Sequence, residues 1–386
     1  MSDTSPLNVM FVIYDLDRGG PEMRLLDLAE HLPPDVRMFI CVTSTNVSLL
    51  GRFERCAVDV DVVPIARAYV EFGKVRQVVR SVRRNRIRIV NTYDLKGLVI
   101  AVFIKLFAGR RVTVVHNAVD LLHAYRFRQR TALRLLVTWA DRIVANSLAA
   151  KELLAHGFFP EEKIELIHNG VDVAAFSRRN SMPSLGGSLG FPADALVMGT
   201  VANLRKEKEY PFLLEAFARL SATYPRLRLL CVGGGPLLDE MQRLARACGV
   251  ADRTVFTGYV DNVADYIGVM DVFVLTSSKE GFPNALLQAM SMEVPVVATS
   301  VGGCREIVDN GKDGFLFAPG DSEGFIERVS TLLENREMAS AVASRAKSKV
   351  DATFSLSGMV DRYMDYYRKV APAADRFSPG EAPGLE

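Results

Sequence analysis

The chain alternates between short, continuous apolar runs and longer stretches in which apolar residues recur at helical spacing. Runs at 7–14, 37–42, 58–62, 87–90, 111–115, 142–145 and 164–167 are rich in Val and Ile and predict strands buried on both faces. Between them, the patterns at 23–32, 73–84 and 95–107 predict helices. The alternation resumes with strands at 197–202, 227–232, 254–257, 272–275 and 294–298. Helical patterns cover 210–223, 321–333, 338–350 and 356–370. Strand and helix in strict turn predict α/β architecture, with parallel sheets covered by helices on both faces.

At 386 residues the chain is long for one core, and two domains are expected. The break falls in 178–192, rich in Ser, Gly and Pro, which reads as a linker between a first domain at 1–177 and a second at 193–355. Residues 371–386 are rich in Pro and Gly, lack periodicity and are expected to be disordered. An apolar content of 49% with 24% charged residues is that of a soluble globular protein. The five cysteines are odd in number and form no C-x-x-C pair, so reduced thiols in a cytoplasmic protein are expected. No basic region precedes the first apolar run, which reads as a strand and not as a signal peptide. No apolar run is long enough to cross a bilayer, and the run at 98–108 is broken by Lys105.

Candidate chemistry concentrates in residues 276–308. A buried strand at 272–275 leads through a loop holding Glu280, Gly281 and Phe282 into a helix with Pro283 near its start. Proline suits a first helical turn, where its missing N–H has no partner. Asn284 and the residues after it then offer amides and a helix dipole to an anion such as a diphosphate. A second strand ends at Gly302 and Gly303, followed by Glu306. Both turns sit on the carboxyl edge of one sheet, where open α/β sheets bind ligands.

Glu280, Gly281, Phe282 and Pro283, with a further polar residue eight positions after Glu280, resemble the donor-binding core of retaining glycosyltransferases of family 4. Those enzymes have the GT-B fold, two Rossmann-like domains facing a cleft. The family's second glutamate is Gln288 here. Other blocks match in order. Gly19 and Gly20 resemble the glycine-rich loop after the first strand. His116, after the strand at 111–115, matches the histidine that contacts the transferred sugar. His168, Asn169 and Gly170 resemble the exit from the first domain, and helix 356–370 is expected to cross back to it. The loop after strand 197–202 holds Asn203 where the family has Arg, and Lys208 where it has Lys; Arg205 is the candidate to supply the missing guanidinium. Gly258, Tyr259 and Val260 match the turn that holds the nucleobase.

The resemblance implies a nucleotide-sugar substrate, with a UDP-sugar expected, and a glycan or lipid-linked acceptor. Its catalytic residues would be His116 and Glu280. Gly19, Gly20, Arg205, Lys208, Gly258, Tyr259, Val260, Gly281, Phe282, Pro283, Asn284, Gln288, Gly302, Gly303 and Glu306 would line the donor site. No cofactor and no metal are expected, because no Asp-x-Asp motif is read anywhere in the sequence as ligands for a metal clamp and cations with amide dipoles can carry the leaving diphosphate. A front-face displacement needs no protein nucleophile, and none is recognisable.

Charge adds one feature. Residues 67–134 hold sixteen Lys and Arg against Glu71, Asp94 and Asp120, with aromatics interleaved. A solvated face explains this, and so does docking on an anionic membrane surface, where each basic residue contributes about 1 kcal/mol; no nucleic-acid motif accompanies the charge. Two other functions fit the same fold: a UDP-N-acetylglucosamine 2-epimerase, for which no acid/base motif is seen, and a non-catalytic nucleotide-sugar-binding scaffold, to which the departures at Asn203 and Gln288 point.

Overall fold

A computed structural model describes residues 6–17, 19–65, 71–108, 112–118, 135–156, 159–177 and 185–372. Among the described residues, thirteen strands form two sheets. In the first, β1 (Leu7–Ile13), β2 (Val36–Val42), β3 (Asp59–Val62), β4 (Ile89–Thr92), β5 (Thr113–Ala118), β6 (Arg142–Ala145) and β7 (Ile164–Leu166) lie in the order β3-β2-β1-β4-β5-β6-β7. In the second, β8 (Leu196–Val201), β9 (Leu227–Val232), β10 (Thr254–Phe256), β11 (Val272–Leu275), β12 (Val296–Thr299) and β13 (Phe315–Phe317) lie in the order β10-β9-β8-β11-β12-β13. Every pairing is parallel. This is the α/β, two-sheet architecture that the alternation predicts. The strand order reverses between β1 and β4 and again between β8 and β11, which opens a crevice at the carboxyl edge of each sheet.

Burial follows the sequence pattern. Val272, Phe273, Val274 and Leu275 of β11 are all buried, as a strand covered on both faces requires. The helix Leu356–Val370 leaves the second domain and buries Met359, Tyr363 and Tyr367 in the core of the first, against Phe11, Leu25 and Ile89. The chain thus passes between the domains twice, and the passes are stitched together. The Val171 amide donates to the Phe354 carbonyl at 2.9 Å and the Leu356 amide to the Val171 carbonyl at 2.8 Å. A Cβ on Gly170 would lie 2.6 Å from the Ser355 carbonyl oxygen, so only glycine permits this approach.

Several expectations are corrected. Strand β5 runs on to Ala118, so His116 and Asn117 lie inside it and not after it. Polar partners hold these residues in the sheet: Asn117 Nδ2 donates to Asn91 Oδ1 at 3.1 Å, and the crossing helix sends the Tyr367 hydroxyl to the same oxygen at 3.1 Å. Strand β4 starts two residues later than the run at 87–90. Within the expected linker, Leu185–Ser188 is helical and Phe191 is buried in the second domain's core, while 178–184 lie outside the described residues. The helices Leu50–Arg55, Leu238–Ala247 and Val263–Gly268 and strand β13 were not expected. The tail at 373–386 lies outside the described residues, as does 119–134, the carboxyl half of the basic segment.

Candidate functional site

The loops at the carboxyl edges of the two sheets face each other. On the second domain, Lys208 follows β8 and Glu280 follows β11. Their side chains meet at 2.6 Å, and the Ser277 hydroxyl donates to the same Glu280 oxygen at 2.6 Å. The two loops are fastened along the backbone: the Ser278 amide donates to the Glu207 carbonyl at 2.8 Å, and the Thr276 hydroxyl to the Lys208 carbonyl at 3.0 Å. Lys208 and Glu280 are thus fixed by their neighbours before any ligand arrives. Arg205 sits three residues before Lys208 with its side chain exposed.

The Glu280 loop rests on the turn after β12. A Cβ on Gly302 would fall 1.9 Å from the Glu280 carbonyl oxygen, and Gly302 has φ of 44°, a left-handed conformation that glycine adopts at no steric cost. The Gly303 amide donates to the Gly281 carbonyl at 3.0 Å. The helix Asn284–Ser291 begins directly after Pro283 and carries the half-buried Gln288 on its second turn. Phe282 is buried and stacks on the His168 ring, with centroids 4.9 Å apart.

A second wall is built from the turns after β9 and β10. The Gly233 amide donates to the Gly258 carbonyl at 3.0 Å, which joins the two turns. Tyr259 follows Gly258, is 59% exposed, and lies against Gly234, where a Cβ would come within 2.6 Å of its ring. Val260 packs beside the second domain's core. An exposed aromatic ring beside backbone amides is a surface on which a flat heterocycle can stack.

On the first domain, Gly19 caps and Gly20 opens the helix Gly20–Glu30, and the Glu22 carboxylate folds back over Gly19. His116 is buried in β5. Its Nδ1 and the Thr92 hydroxyl are 2.9 Å apart. Burial without a neighbouring charge pushes the imidazole down to about 4, so the ring is neutral at physiological pH. The expectation of no Asp-x-Asp motif is corrected: two such triplets occur, both in this domain, Asp15-Leu16-Asp17 and Asp59-Val60-Asp61. Both engage local partners: Asp17 accepts from Ser48 at 3.0 Å and Asn46 at 3.1 Å, and Asp61 from Ser81 at 2.6 Å.

At the domain junction the sequence reading missed Arg24 and the side-chain bonds made by Asn169 and His168. Arg24 is buried and donates through Nη1 to Asn169 Oδ1 at 3.0 Å. Asn169 Nδ2 in turn donates to Asn284 Oδ1 at 2.8 Å, at the first residue of the helix Asn284–Ser291. His168 Nε2 donates to Glu306 at 2.9 Å. The signal for Arg24 was present: it lies four positions before Leu28, on the apolar face of its helix. Glu306 itself turns toward the first domain. It accepts the Leu148 amide at 2.8 Å and the Ala149 amide at 3.3 Å.

Comparison with known proteins fits this geometry. Residues 18–175 match the family model for Glycosyltransferase Family 4, and residues 184–349 match that for glycosyl transferases group 1. The N-acetyl-alpha-D-glucosaminyl L-malate synthase of Bacillus anthracis is 31% identical over 211 residues, 55% of each chain. The putative glycosyltransferase EpsF of Bacillus subtilis is 26% identical over 330 residues, 80% of this chain and 83% of its own. The chain spans about half the length of the first curated relatives it matches. Among solved structures, Anabaena HepE in complex with UDP and glucose superposes with a TM-score of 0.84 at 22% identity, over 94% of this chain and all of that one. The lipopolysaccharide glycosyltransferase WaaG superposes with a TM-score of 0.72 at 14% identity, over 95% of this chain. At such identities the likeness is one of fold.

Proposed function

Because the chain belongs to the family 4 type of glycosyltransferases with the GT-B fold, we propose that it transfers a sugar from a nucleotide donor, a UDP-sugar, to a glycan or lipid-linked acceptor. The observation that carries this reading is the meeting of Lys208 and Glu280 at 2.6 Å, beside the start of the helix Asn284–Ser291 and the Gly302–Gly303 turn. A diphosphate bound there gains a cation and a helix dipole, and a sugar on its far side reaches Glu280. Tyr259 offers the flat surface for the base. That HepE is solved with UDP and glucose, and with UDP-glucose, favours UDP as the nucleotide.

In this reading the bond from the anomeric carbon to the diphosphate breaks while the acceptor oxygen adds from the same face. The departing phosphate oxygen takes the acceptor's proton, and configuration is retained. Lys208, Arg205 and the helix dipole take up the charge that develops on the leaving group, without a metal ion. His116, neutral across the physiological range, offers a hydrogen bond to the sugar and not a charge.

The first domain carries the acceptor and, in this reading, rests on an anionic membrane surface. Phe72 is 71% exposed and Leu106 58%, and Phe72, Phe103 and Phe107 pack ring to ring with centroids 5.8 and 6.3 Å apart. Arg76, Arg80, Arg83 and Arg84 are exposed on the same helix as Phe72. Among the described residues, no helix is long and apolar enough to cross a membrane. Titrating UDP, GDP and ADP into the wild type and Lys208→Ala by calorimetry tests the donor site. The reading expects UDP to bind and the variant to lose most of that affinity; equal binding by both proteins contradicts it.

A further inference from the structure

Glu306 makes more bonds across the domain boundary than any reading of a donor-lining residue requires. It sits in the short helix Cys304–Ile307 of the second domain, yet its carboxylate bonds to Leu148, Ala149 and His168 of the first. Its Oε2 accepts the Leu148 amide at 2.8 Å and the His168 Nε2–H at 2.9 Å, and its Oε1 accepts the Ala149 amide at 3.3 Å. Leu148 and Ala149 open the helix Leu148–Ala155, which follows β6 of the first domain. Ser147 caps the same helix by accepting from the Ala150 amide at 3.1 Å. The first three amides of that helix are therefore all satisfied, two by a carboxylate reaching over from the other domain. A carboxylate at a helix N-terminus is favoured by the dipole and by charge-assisted hydrogen bonds. Here it is only 11% exposed, so few water molecules compete for it.

The other end of the same segment supports Glu280. Gly302 and Gly303 stand immediately before the helix that carries Glu306, and their backbone is in contact with Glu280 and Gly281. His168, the third partner of Glu306, stacks on Phe282, two residues past Glu280. A pull on Glu306 therefore reaches Glu280 along two short routes, through the Gly302–Gly303 turn and through the His168–Phe282 stack.

We propose that Glu306 is a positioning residue that fastens the first domain's helix Leu148–Ala155 to the segment supporting Glu280, so that closure of the domains and placement of Glu280 are one event. It holds the cleft in register and does not touch the sugar nucleotide. This rests on the reading that the cleft takes a nucleotide sugar, and it deepens that reading by separating the residue that holds the site from those that hold the ligand.

The test compares the wild type, Glu306→Ala and Glu306→Gln with UDP and UDP-glucose as probes. In Glu306→Ala, amide hydrogen exchange at Leu148 and Ala149 rises by about ten-fold or more while the second domain's core is unchanged. UDP affinity stays within about two-fold, and slow release of UDP from UDP-glucose into water falls by about ten-fold or more, a loss confined to turnover. Glu306→Gln, whose side-chain oxygen still accepts from the Leu148 amide, recovers most of both. A loss of UDP affinity matching the loss of turnover shows instead that Glu306 contacts the donor and overturns the proposal. So does unchanged exchange at Leu148 and Ala149. If Glu306→Ala does not fold, the same readouts on His168→Gln decide, expected to show an intermediate rise in exchange at Leu148 and Ala149 with UDP affinity kept; unchanged exchange there overturns the proposal. If the wild type neither binds UDP nor releases it from UDP-glucose, the functional reading fails, and the exchange measurement alone still decides the fastening role.

Discussion

The Nζ of Lys208 and the Oε1 of Glu280 lie 2.6 Å apart, with Glu280 9% exposed and Lys208 21% exposed. Without its cation, Glu280 keeps the Ser277 hydroxyl but sits as an unneutralised, nearly buried carboxylate. Lys208→Ala should therefore destabilise the fold by about 1–2 kcal/mol, less than a fully buried pair because the lysine is partly solvated. It should also weaken UDP binding by about ten-fold or more, as expected when one charge-assisted contact to phosphate is lost. Urea unfolding and calorimetry measure the two effects. A variant that is destabilised but binds UDP normally would confine Lys208 to structure.

His116 gives the protein a pH dependence whose sign is fixed by burial. Its imidazole titrates near 4 when folded, against an ordinary value near 6.5. As pH falls below 6.5, the unfolded chain takes up a proton that the folded chain refuses, so stability is lost between 6.5 and 4 and levels off below that. The full effect is about 3 kcal/mol. Thermal unfolding of wild type and His116→Gln across pH 7 to 4 checks it: the difference in stability between them should change steadily over this window. A constant difference would mean that the ring takes up its proton at the same pH in the fold as in the unfolded chain.

Gln288 replaces the acid that the family's pattern places on the helix Asn284–Ser291. A carboxylate there would accept hydrogen bonds from both ribose hydroxyls, whereas the amide accepts only through its oxygen. Gln288→Glu should bind UDP about five-fold more tightly, a gain of about 1 kcal/mol. A large loss of affinity would show that the amide N–H is required.

Sedimentation with vesicles probes the surface around Phe72. Wild type should pellet with vesicles rich in phosphatidylglycerol at low salt and release as salt is raised. The double variant Arg80→Glu, Arg84→Glu should lose most of this binding, and Phe72→Ser, Phe107→Ser should weaken it without changing the Tm by more than a few degrees, because both rings are at least half exposed. No pelleting of wild type at low salt would remove the membrane from the account.

How far the sequence carried can be judged residue by residue. Strands such as β11 and β9 were legible because a parallel strand buried on both faces is a continuous apolar run. Strand β13 escaped because its short run is enclosed by the turn residues Gly314 and Pro319 and reads as part of a loop. The helix Leu238–Ala247 escaped because its polar face outweighs its two buried residues, Met241 and Ala245. The end of β5 was misplaced for a different reason: Asn117 and His116 are polar residues held inside a sheet by Asn91, Thr92 and a tyrosine that arrives from position 367. Hydropathy cannot anticipate partners so distant in the chain. The same limit hid the junction. Lys208, Glu280 and the Gly302–Gly303 turn were legible from their places at strand ends. The bonds from Asn169 to Asn284 and from Leu148 to Glu306 exist only once two domains meet.

The central claim is a nucleotide-sugar site on the second domain, and thermal unfolding with UDP, GDP, ADP and their sugar conjugates, with and without EDTA, tests it most directly. A ligand at about 100 times its dissociation constant should stabilise the fold by about 2.7 kcal/mol. A clear rise in Tm is expected with UDP and UDP-sugars, unchanged by EDTA and cut to about half or less in Lys208→Ala. No rise with any nucleotide would contradict the donor site, and a rise that EDTA abolishes would contradict the metal-free mechanism.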